Sequence, residues 1–396
     1  MADMILVVNA GSSSLKFEVF SVGRKGALDC QVRGRVDGIA THPRLVAYDP
    51  KGATLIDEPC AAGEINDLPA ALAHAQIWLR EHFPGVVPIA VGHRVVHGGS
   101  TYAAPTMVDD AVLVELEKFI PLAPLHQPNN LAPIRALRQR TPDLPQIACF
   151  DTAFHRGRPA LADRFAIPEA LYEEGVRRYG FHGLSYEYIA SRLPEVAPEI
   201  ADGRVVVAHL GSGASMCAMV GRKSVESTMG FTALDGLPMG TRPGQLDAGV
   251  VLYLIAEKHM EPKAVEHMLY HDCGLKGLSG VSADVRDLLA SSDPRAALAL
   301  DVFTYRLGML AGSLAASMGG IDGFVFTAGI GENAPDIRDR AARRLAWLGL
   351  ELEPIANRDG APLISRKGSR VSCYVIPTDE ELMIGRHMLA VLDANR

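Results

Sequence analysis

The sequence predicts an α/β protein built from two related lobes, and three observations carry that expectation. One pattern occurs twice. Residues 5–20, ILVVNAGSSSLKFEVF, read as a buried strand, a polar Gly/Ser loop and a second strand, and residues 204–220, RVVVAHLGSGASMCAMV, read the same way. Gly211 then stands on Gly11 and Ser212 on Ser12, which is the signature of an internal duplication. Short apolar runs at 87–91, 146–150 and 323–328 alternate with helical patterns, as in α/β sheets. Finally, 396 residues exceed what a single core usually holds.

Composition narrows the function. Hydrophobic residues make up 48% and charged residues 21%, as in ordinary globular proteins. A net charge of −7 argues against a nucleic-acid surface. The N-terminus has no basic segment leading into a long apolar core, so no signal peptide is expected. The run at 307–321, LGMLAGSLAASMGGI, is too short and too rich in Gly and Ser to span a bilayer, and reads as part of a buried, central helix over 295–318. Six cysteines show neither C-x-x-C pairing nor zinc spacing, which suits reduced thiols in a cytoplasmic protein.

Along the chain, the first Gly/Ser loop can turn backbone N–H groups toward an anion, with Ser12, Ser14 and Lys16 at hand. It is not a P-loop, which ends in Gly-Lys-Ser/Thr and enters a helix. An ordinary Ser-tipped hairpin fits it equally. Residues 30–70 read as antiparallel strands and 68–81 as a helix. A strand at 87–91 should end in a loop at 92–99 that carries Arg94 to the carboxyl edge of the sheet, where ligands bind. His93 and His97 lack the glutamate and helix of a zinc motif. A Pro-broken loop over 120–129 carries His126, and a strand at 146–150 delivers Asp151, either a catalytic acid or a helix cap. Gly180 and Gly183 flank Phe181 and His182, permitting close approach of a ligand. Residues 228–241 form a Gly-rich loop leading to Arg242, and a further loop carries Asp284 and Arg286 before a helix. The strand at 323–328 should open into a glycine loop, Gly329 to Asn333, with Asn333 capping the next helix.

Two rival functions follow from these same patterns. Gly329-x-Gly331-x-x-Ala334 fits the dinucleotide fingerprint, with Glu351 near the expected distance, so an NAD-dependent dehydrogenase is an alternative. It leaves the duplicated loops without a role. A two-lobed ATP clamp without chemistry is the third reading.

The runs NAGSSSLKF, GHRVVHGG, FDTAFH, YGFHG, HLGSGAS, GTRPGQLD, ADVRDL, TAGIGEN and PTDEELMI, in that order over nearly the whole chain, resemble the acetate kinase family of acetate and propionate kinases. The resemblance implies the ribonuclease H-like two-lobed fold of actin, the Hsp70 ATPase and sugar kinases (the ASKHA type), with a cleft between the lobes. It implies an acyl-substrate lobe of residues 1–151 completed by the helix 383–396, and a nucleotide-binding lobe of residues 152–382. It implies reversible in-line phosphoryl transfer between ATP and acetate, giving acetyl phosphate and ADP, with propionate as alternative acceptor. Mg²⁺, or Mn²⁺ in its place, and a homodimer are implied too.

Residue by residue, the resemblance puts Asn9 and Glu380 at the metal. It puts Ser12, Ser14 and Lys16 on the nucleotide phosphates. His209, Leu210, Gly211, Ser212, Gly213, Asp284, Val285, Arg286, Gly329, Ile330, Gly331, Glu332 and Asn333 line the ATP site. Arg94 holds the carboxylate, and Val96, Leu125, Phe181 and Ala233 surround its methyl group. Asp151 is the active-site acid, His182 and Arg242 stabilise the transition state, and His126 lies near the phosphoryl group. Such a set suits a reaction that needs positioning and charge neutralisation more than covalent help. A carboxylate acceptor carries no proton at neutral pH, so Asp151 is expected to orient an arginine or a metal-bound water, not to act as a base. Several positions depart from the family pattern. Ser212 replaces an asparagine, Ala233 a proline and Asp379 an asparagine, and Pro243 and Gln245 also differ.

Overall fold

A computed structural model describes residues 3–11, 14–61, 63–85 and 87–395. The chain divides into two compact units, Met1–Ala153 with Asp379–Arg396, and Phe154–Thr378.

The first unit carries an eight-stranded sheet in the order β5-β4-β3-β2-β1-β6-β8-β7. Its strands are β1 (Asp3–Ala10), β2 (Ser14–Val22), β3 (Leu28–Asp37), β4 (Arg44–Tyr48), β5 (Thr54–Pro59), β6 (Ala90–Val95), β7 (Thr106–Met107) and β8 (Gln146–Phe150). β1 and β8 are apolar runs and are buried along almost their whole length. Helices α1 (Leu68–His82), α2 (Asp110–Glu117) and α3 (Gln127–Arg140) cover the sheet together with the C-terminal helix Glu380–Ala394. Asp67 and Asp109 accept backbone N–H bonds at the starts of α1 and α2.

The second unit has five strands, β9 (Arg204–Leu210), β10 (Ala214–Val220), β11 (Lys223–Ser227), β12 (Gly323–Thr327) and β13 (Ser372–Val375), in the order β11-β10-β9-β12-β13. Its helices run from the short α4 (Ala160–Asp163) and α5 (Glu169–Glu173) through α6 (Gly183–Val196), α7 (Ala248–Ala256), α8 (Pro262–His271), α9 (Gly274–Ser279) and α10 (Val285–Ala290). The long α11 (Pro294–Ser317) follows, then α12 (Ala328–Asn333), α13 (Pro335–Leu345) and α14 (Pro354–Asp359).

The duplication is visible in the topology. β1 pairs antiparallel with β2 and parallel with β6, and β9 pairs antiparallel with β10 and parallel with β12. The series β3-β2-β1-β6-β8 and β11-β10-β9-β12-β13 share order and strand direction. The two hairpin loops differ by one residue: Ala10 pairs with Leu15, but Leu210 pairs with Ala214.

Four expectations are corrected. Residues 92–95 belong to β6, not to a loop. Gly92 is not a turn residue; a Cβ there would lie 2.3 Å from Met388 Sδ, so it admits the C-terminal helix. His93 tolerates the buried strand because its Nε2 pairs with Gln146 Oε1 at 2.9 Å. Arg286 lies inside α10 and not in the loop before it. Helix α11 is not enclosed all round: one side packs on α9, α13 and the sheet, while Leu298, Tyr305 and Met309 are exposed. By length and composition it could cross a membrane, but it serves as a packed helix of this unit.

The fourth correction concerns the glycine loop. Residues Ala328–Asn333 wind into a helical turn, with Ala328 at φ 64°. Glu332 Oε1 accepts the Ala328 N–H at 2.8 Å, and the buried Arg338 donates to the carbonyls of Gly331 and Glu332 at 2.9 and 2.8 Å. Ala334, not Asn333, stands at the start of α13.

Candidate active site

In the first unit, the carboxyl ends of β1, β6 and β8 bring Asn9, Arg94 and Asp151 together, and the first turn of the C-terminal helix adds Glu380 and Glu381. Arg94 grips Asp151 with two parallel bonds, Nε to Oδ1 at 2.9 Å and Nη2 to Oδ2 at 2.5 Å. Its Nη1 donates to Asn9 Oδ1 at 3.3 Å, and Nε lies 3.8 Å from Glu380 Oε2. The Asn9 amide donates to Glu381 Oε1 at 2.9 Å and Glu380 Oε2 at 3.4 Å. Burial opposes the Arg94 charge, but Asp151, Glu380 and Glu381 outweigh it and raise its pKa above the ordinary value.

The segment after β6 is pinned from α3. Asn130 accepts the Val96 N–H at 2.9 Å and donates to the Ala10 carbonyl at 2.7 Å. Gln127 accepts the His97 N–H and returns a bond to the His97 carbonyl at 3.0 Å. Both side chains are buried, and sequence reasoning passed over them; the polar run HQPNN opening a buried helix was the available signal. Val96 is buried, and Leu125 and His126 are half-buried just ahead of α3. Lys16 is exposed and stands directly opposite Asn9 across the β1–β2 ladder. Ser14 closes the hairpin by accepting the Gly11 N–H at 2.8 Å, and Ser12 lies outside the described residues.

Sequence reasoning also missed Glu18. It forms with Asp379 and Glu381 a group whose oxygens lie within 4.8 Å of one another. Burial, then Glu381 and Asp379, push its carboxyl up to about 8 against the pull of Arg33. The cue was an acid on β2 beside the Asp-Glu-Glu run.

The second unit assembles a different set. His182 precedes α6 in the left-handed region at φ 57°, a conformation unusual for a residue with a side chain. Its ring stacks on His209, with centroids 4.2 Å apart and planes at 15°. His182 Nδ1 meets Ser215 Oγ at 2.8 Å, and His209 Nδ1 meets Ser185 Oγ at 2.8 Å. Arg242 donates from Nη1 to the Ala233 carbonyl at 2.8 Å. Burial lowers its pKa to about 10, and among the described residues no carboxylate pairs with it. A Cβ on Gly213 would lie 2.9 Å from Arg242 Nη2 and 3.4 Å from His182 Nε2, so that glycine keeps the loop against both.

The Gly211–Gly213 turn also lies near the start of α12, since a Cβ on Gly211 would come within 4.0 Å of Ala328 Cβ. Gly240 sits between Ser212 and Ala283 in the same way, next to Asp284. Leu210 is buried at the end of β9. Gly329 has open space where a Cβ would be, and Ile330 lies beside it in α12. Three expected ATP-site residues have other partners. The Glu332 carboxylate accepts backbone N–H groups of Ala328 and Thr378. Asp284 accepts from Arg286 Nη2 at 2.6 Å and caps α10, which begins at Val285. Asn333 donates to the Gly329 carbonyl. Phe181 is buried, its carbonyl 2.9 Å from Nε2 of the buried His155.

The family model of the acetokinase family matches residues 4–386. This chain belongs to the acetokinase family. The acetate kinase of Nitrobacter hamburgensis is 61% identical over 390 residues, covering 98% of this chain and 96% of that one. The acetate kinase of Rhizobium meliloti is 59% identical, covering 99% of each. Among solved structures, a propionate kinase from Francisella tularensis matches with a TM-score of 0.89 at 34% identity, covering 97% of this chain and 98% of that one. The Porphyromonas gingivalis acetate kinase matches at 0.85 and 32%, covering 99% and 100%. An acetokinase-family chain is a phosphotransferase with a carboxyl group as acceptor, and its α/β fold is of the actin, Hsp70 and sugar-kinase type. The dehydrogenase alternative falls with this assignment.

Proposed function

We propose that the acceptor is acetate and the donor ATP, with Arg94 taking the acceptor carboxylate and Arg242 and His182 taking charge on the transferred phosphoryl group. The observation that carries this reading is the contrast between the two arginines. Arg94 is already paired with Asp151 and lies near Glu380 and Glu381, whereas Arg242 is a largely buried cation with no carboxylate partner among the described residues. A buried charge without a counterion is costly, and an anionic phosphoryl group relieves that cost. Asp151 spends both oxygens on Arg94 and so orients the guanidinium; its fork leaves Arg94 further N–H donors for a carboxylate.

The donor set of the first unit suits Mg²⁺. Asp151, Glu380 and Glu381 lie around Arg94, a gathering of negative charge that a divalent cation suits. Asn9 and Glu380 offer the hard oxygens for it, Mn²⁺ being the natural substitute. When bound, Mg²⁺ would neutralise phosphate oxygens of the nucleotide. The turn Gly211–Gly213, the start of α12 and the segment at Ala283 and Asp284 are proposed to take the ATP, with Lys16, Ser12 and Ser14 on its phosphates. Val96, Leu125, Phe181 and Ala233 are proposed to surround the acyl carbon, and His126 to lie near the phosphoryl group.

A second copy of the chain is the proposed partner. Helix α7 buries none of its residues, and Val250, Leu252, Tyr253 and Ile255 are exposed along it. The six cysteines are all free, which suits the cytoplasm. The test is ATP-dependent formation of acyl phosphate, trapped with hydroxylamine, from acetate, propionate and butyrate. Trapped acetyl hydroxamate matching ADP one to one supports the reading; ADP formation indifferent to acetate contradicts it.

A further inference from the structure

Ser215 lies on β10 with its side chain fully buried, and its hydroxyl has two partners, His182 Nδ1 at 2.8 Å and Tyr186 OH at 2.5 Å. Tyr186 is fully buried as well, one turn into α6 from His182. A serine hydroxyl has a single proton, so this chain of three groups can run in only two directions without stranding it. Either Tyr186 donates to Ser215 and Ser215 donates to His182 Nδ1, or His182 donates to Ser215 and Ser215 to Tyr186.

Chemistry chooses between them. A phenol is more acidic than an aliphatic alcohol and is the better donor of the two. The first direction leaves Nδ1 as acceptor and puts the ring proton on Nε2, the nitrogen nearest to Gly213 and the Arg242 side. Nε2–H can then donate to a phosphoryl oxygen, where a bare lone pair would repel it. The charges around the ring agree with a neutral imidazole. Arg242 lies on one side, and His209 is stacked at 4.2 Å, its own Nδ1 held by Ser185, which also bonds Thr378 Oγ1 at 2.9 Å. Two protonated rings at that spacing beside a guanidinium would repel strongly.

We propose that Ser215, held in turn by Tyr186, is a positioning residue that fixes His182 in the neutral tautomer with its proton on Nε2. This rests on the role proposed for His182 above, but the tautomer can be read independently of activity. The experiment is a long-range ¹H–¹⁵N correlation spectrum of the ¹⁵N-histidine-labelled full chain near pH 7.5, with His182 assigned by its loss in His182→Gln. The expected spectrum shows Nε2 protonated and Nδ1 bare. Ser215→Ala should populate the other tautomer and lower kcat about ten- to a hundredfold, with KM for ATP and carboxylate within about twofold. Ser215→Thr should restore the tautomer and most of kcat, and Tyr186→Phe should fall between. A native spectrum with Nδ1 protonated, whether as the other tautomer or as imidazolium, overturns the proposal, and that reading needs no variant to fold. An unchanged tautomer in Ser215→Ala overturns it too. Full activity in His182→Gln would instead remove the role of His182, whatever its tautomer.

Discussion

Arg94 on β6 and Asp151 at the end of β8 form a two-pronged ion pair, with the Asp151 side chain 1% exposed and that of Arg94 17%. A carboxylate so committed is poorly placed to take a proton, and the acceptor has none to give. Asp151→Asn should therefore act through Arg94: KM for the carboxylate rises, kcat falls by about a hundredfold or more, and the fold persists. Steady-state kinetics from pH 5.5 to 9 check it. The pH dependence of kcat should keep its shape in the variant; an acid limb present in the native enzyme and lost in Asp151→Asn would mean that Asp151 is a base.

Gly213→Ala places a methyl group 2.9 Å from Arg242 Nη2 and 3.4 Å from His182 Nε2. The nearest atoms are ends of the Arg242 and His182 side chains, so the melting temperature should change little while kcat drops at least about tenfold. Calorimetry beside a rate assay separates the two effects.

Ala233 holds Arg242 by its carbonyl and offers only a methyl side chain to the proposed acyl pocket. Propionate should be accepted nearly as well as acetate, since one methylene shifts discrimination by only about 1–3 kcal/mol. A propionate kcat/KM a thousandfold below that for acetate would reject this.

Acid should destabilise the first and second units through buried imidazoles. Burial lowers His93 to about 4 and His155 to about 3, from an ordinary 6.5. Below pH 6.5 the unfolded chain binds protons that the folded chain refuses, so stability falls as pH drops from 6.5 toward 4. Each group contributes up to about 1.4 kcal/mol per pH unit. Urea unfolding at pH 7.5, 6 and 5 measures the slope, which should flatten in His155→Gln. Equal stability at all three values would contradict it.

Glu332 ties the start of α12 to Thr378, the last residue before the chain returns to the first unit, by accepting both N–H groups, at 2.8 and 3.2 Å. Glu332→Ala strands two backbone donors. It should cost about 1–3 kcal/mol and raise KM for ATP more than KM for the carboxylate. Thermal unfolding and ATP titration read both outcomes.

Much of the fold was legible because the strands advertise themselves. β1, β8, β9 and β12 are apolar runs closed by glycine or acid, and the repeated Gly/Ser loop gave away the duplication. Glycine also misled. Gly92 signals a helix packed against a strand, and the glycines of Ala328–Asn333 sit in a helical turn stabilised by Glu332 and by Arg338. Long-range pairing was not legible either. Arg94 reaches Asp151 because β6 and β8 are parallel neighbours, with Arg94 opposite Cys149. Gln127 and Asn130 are marked only by the polar run that opens α3, and Ser215 meets His182 through the long-range placement of β10, which neither spacing nor composition shows.

The most direct test of the proposal that Arg94 and Arg242 both serve the transfer is acetyl phosphate formation by the native chain, Arg94→Ala and Arg242→Ala, trapped as hydroxamate in a single turnover with ATP, Mg²⁺ and acetate. The account predicts stoichiometric trapping by the native chain. It predicts rates at least about a hundredfold lower in each variant, with Arg94→Ala also raising KM for acetate. A native-like rate in either variant, or ATP consumed without any trapped acyl group, would contradict it.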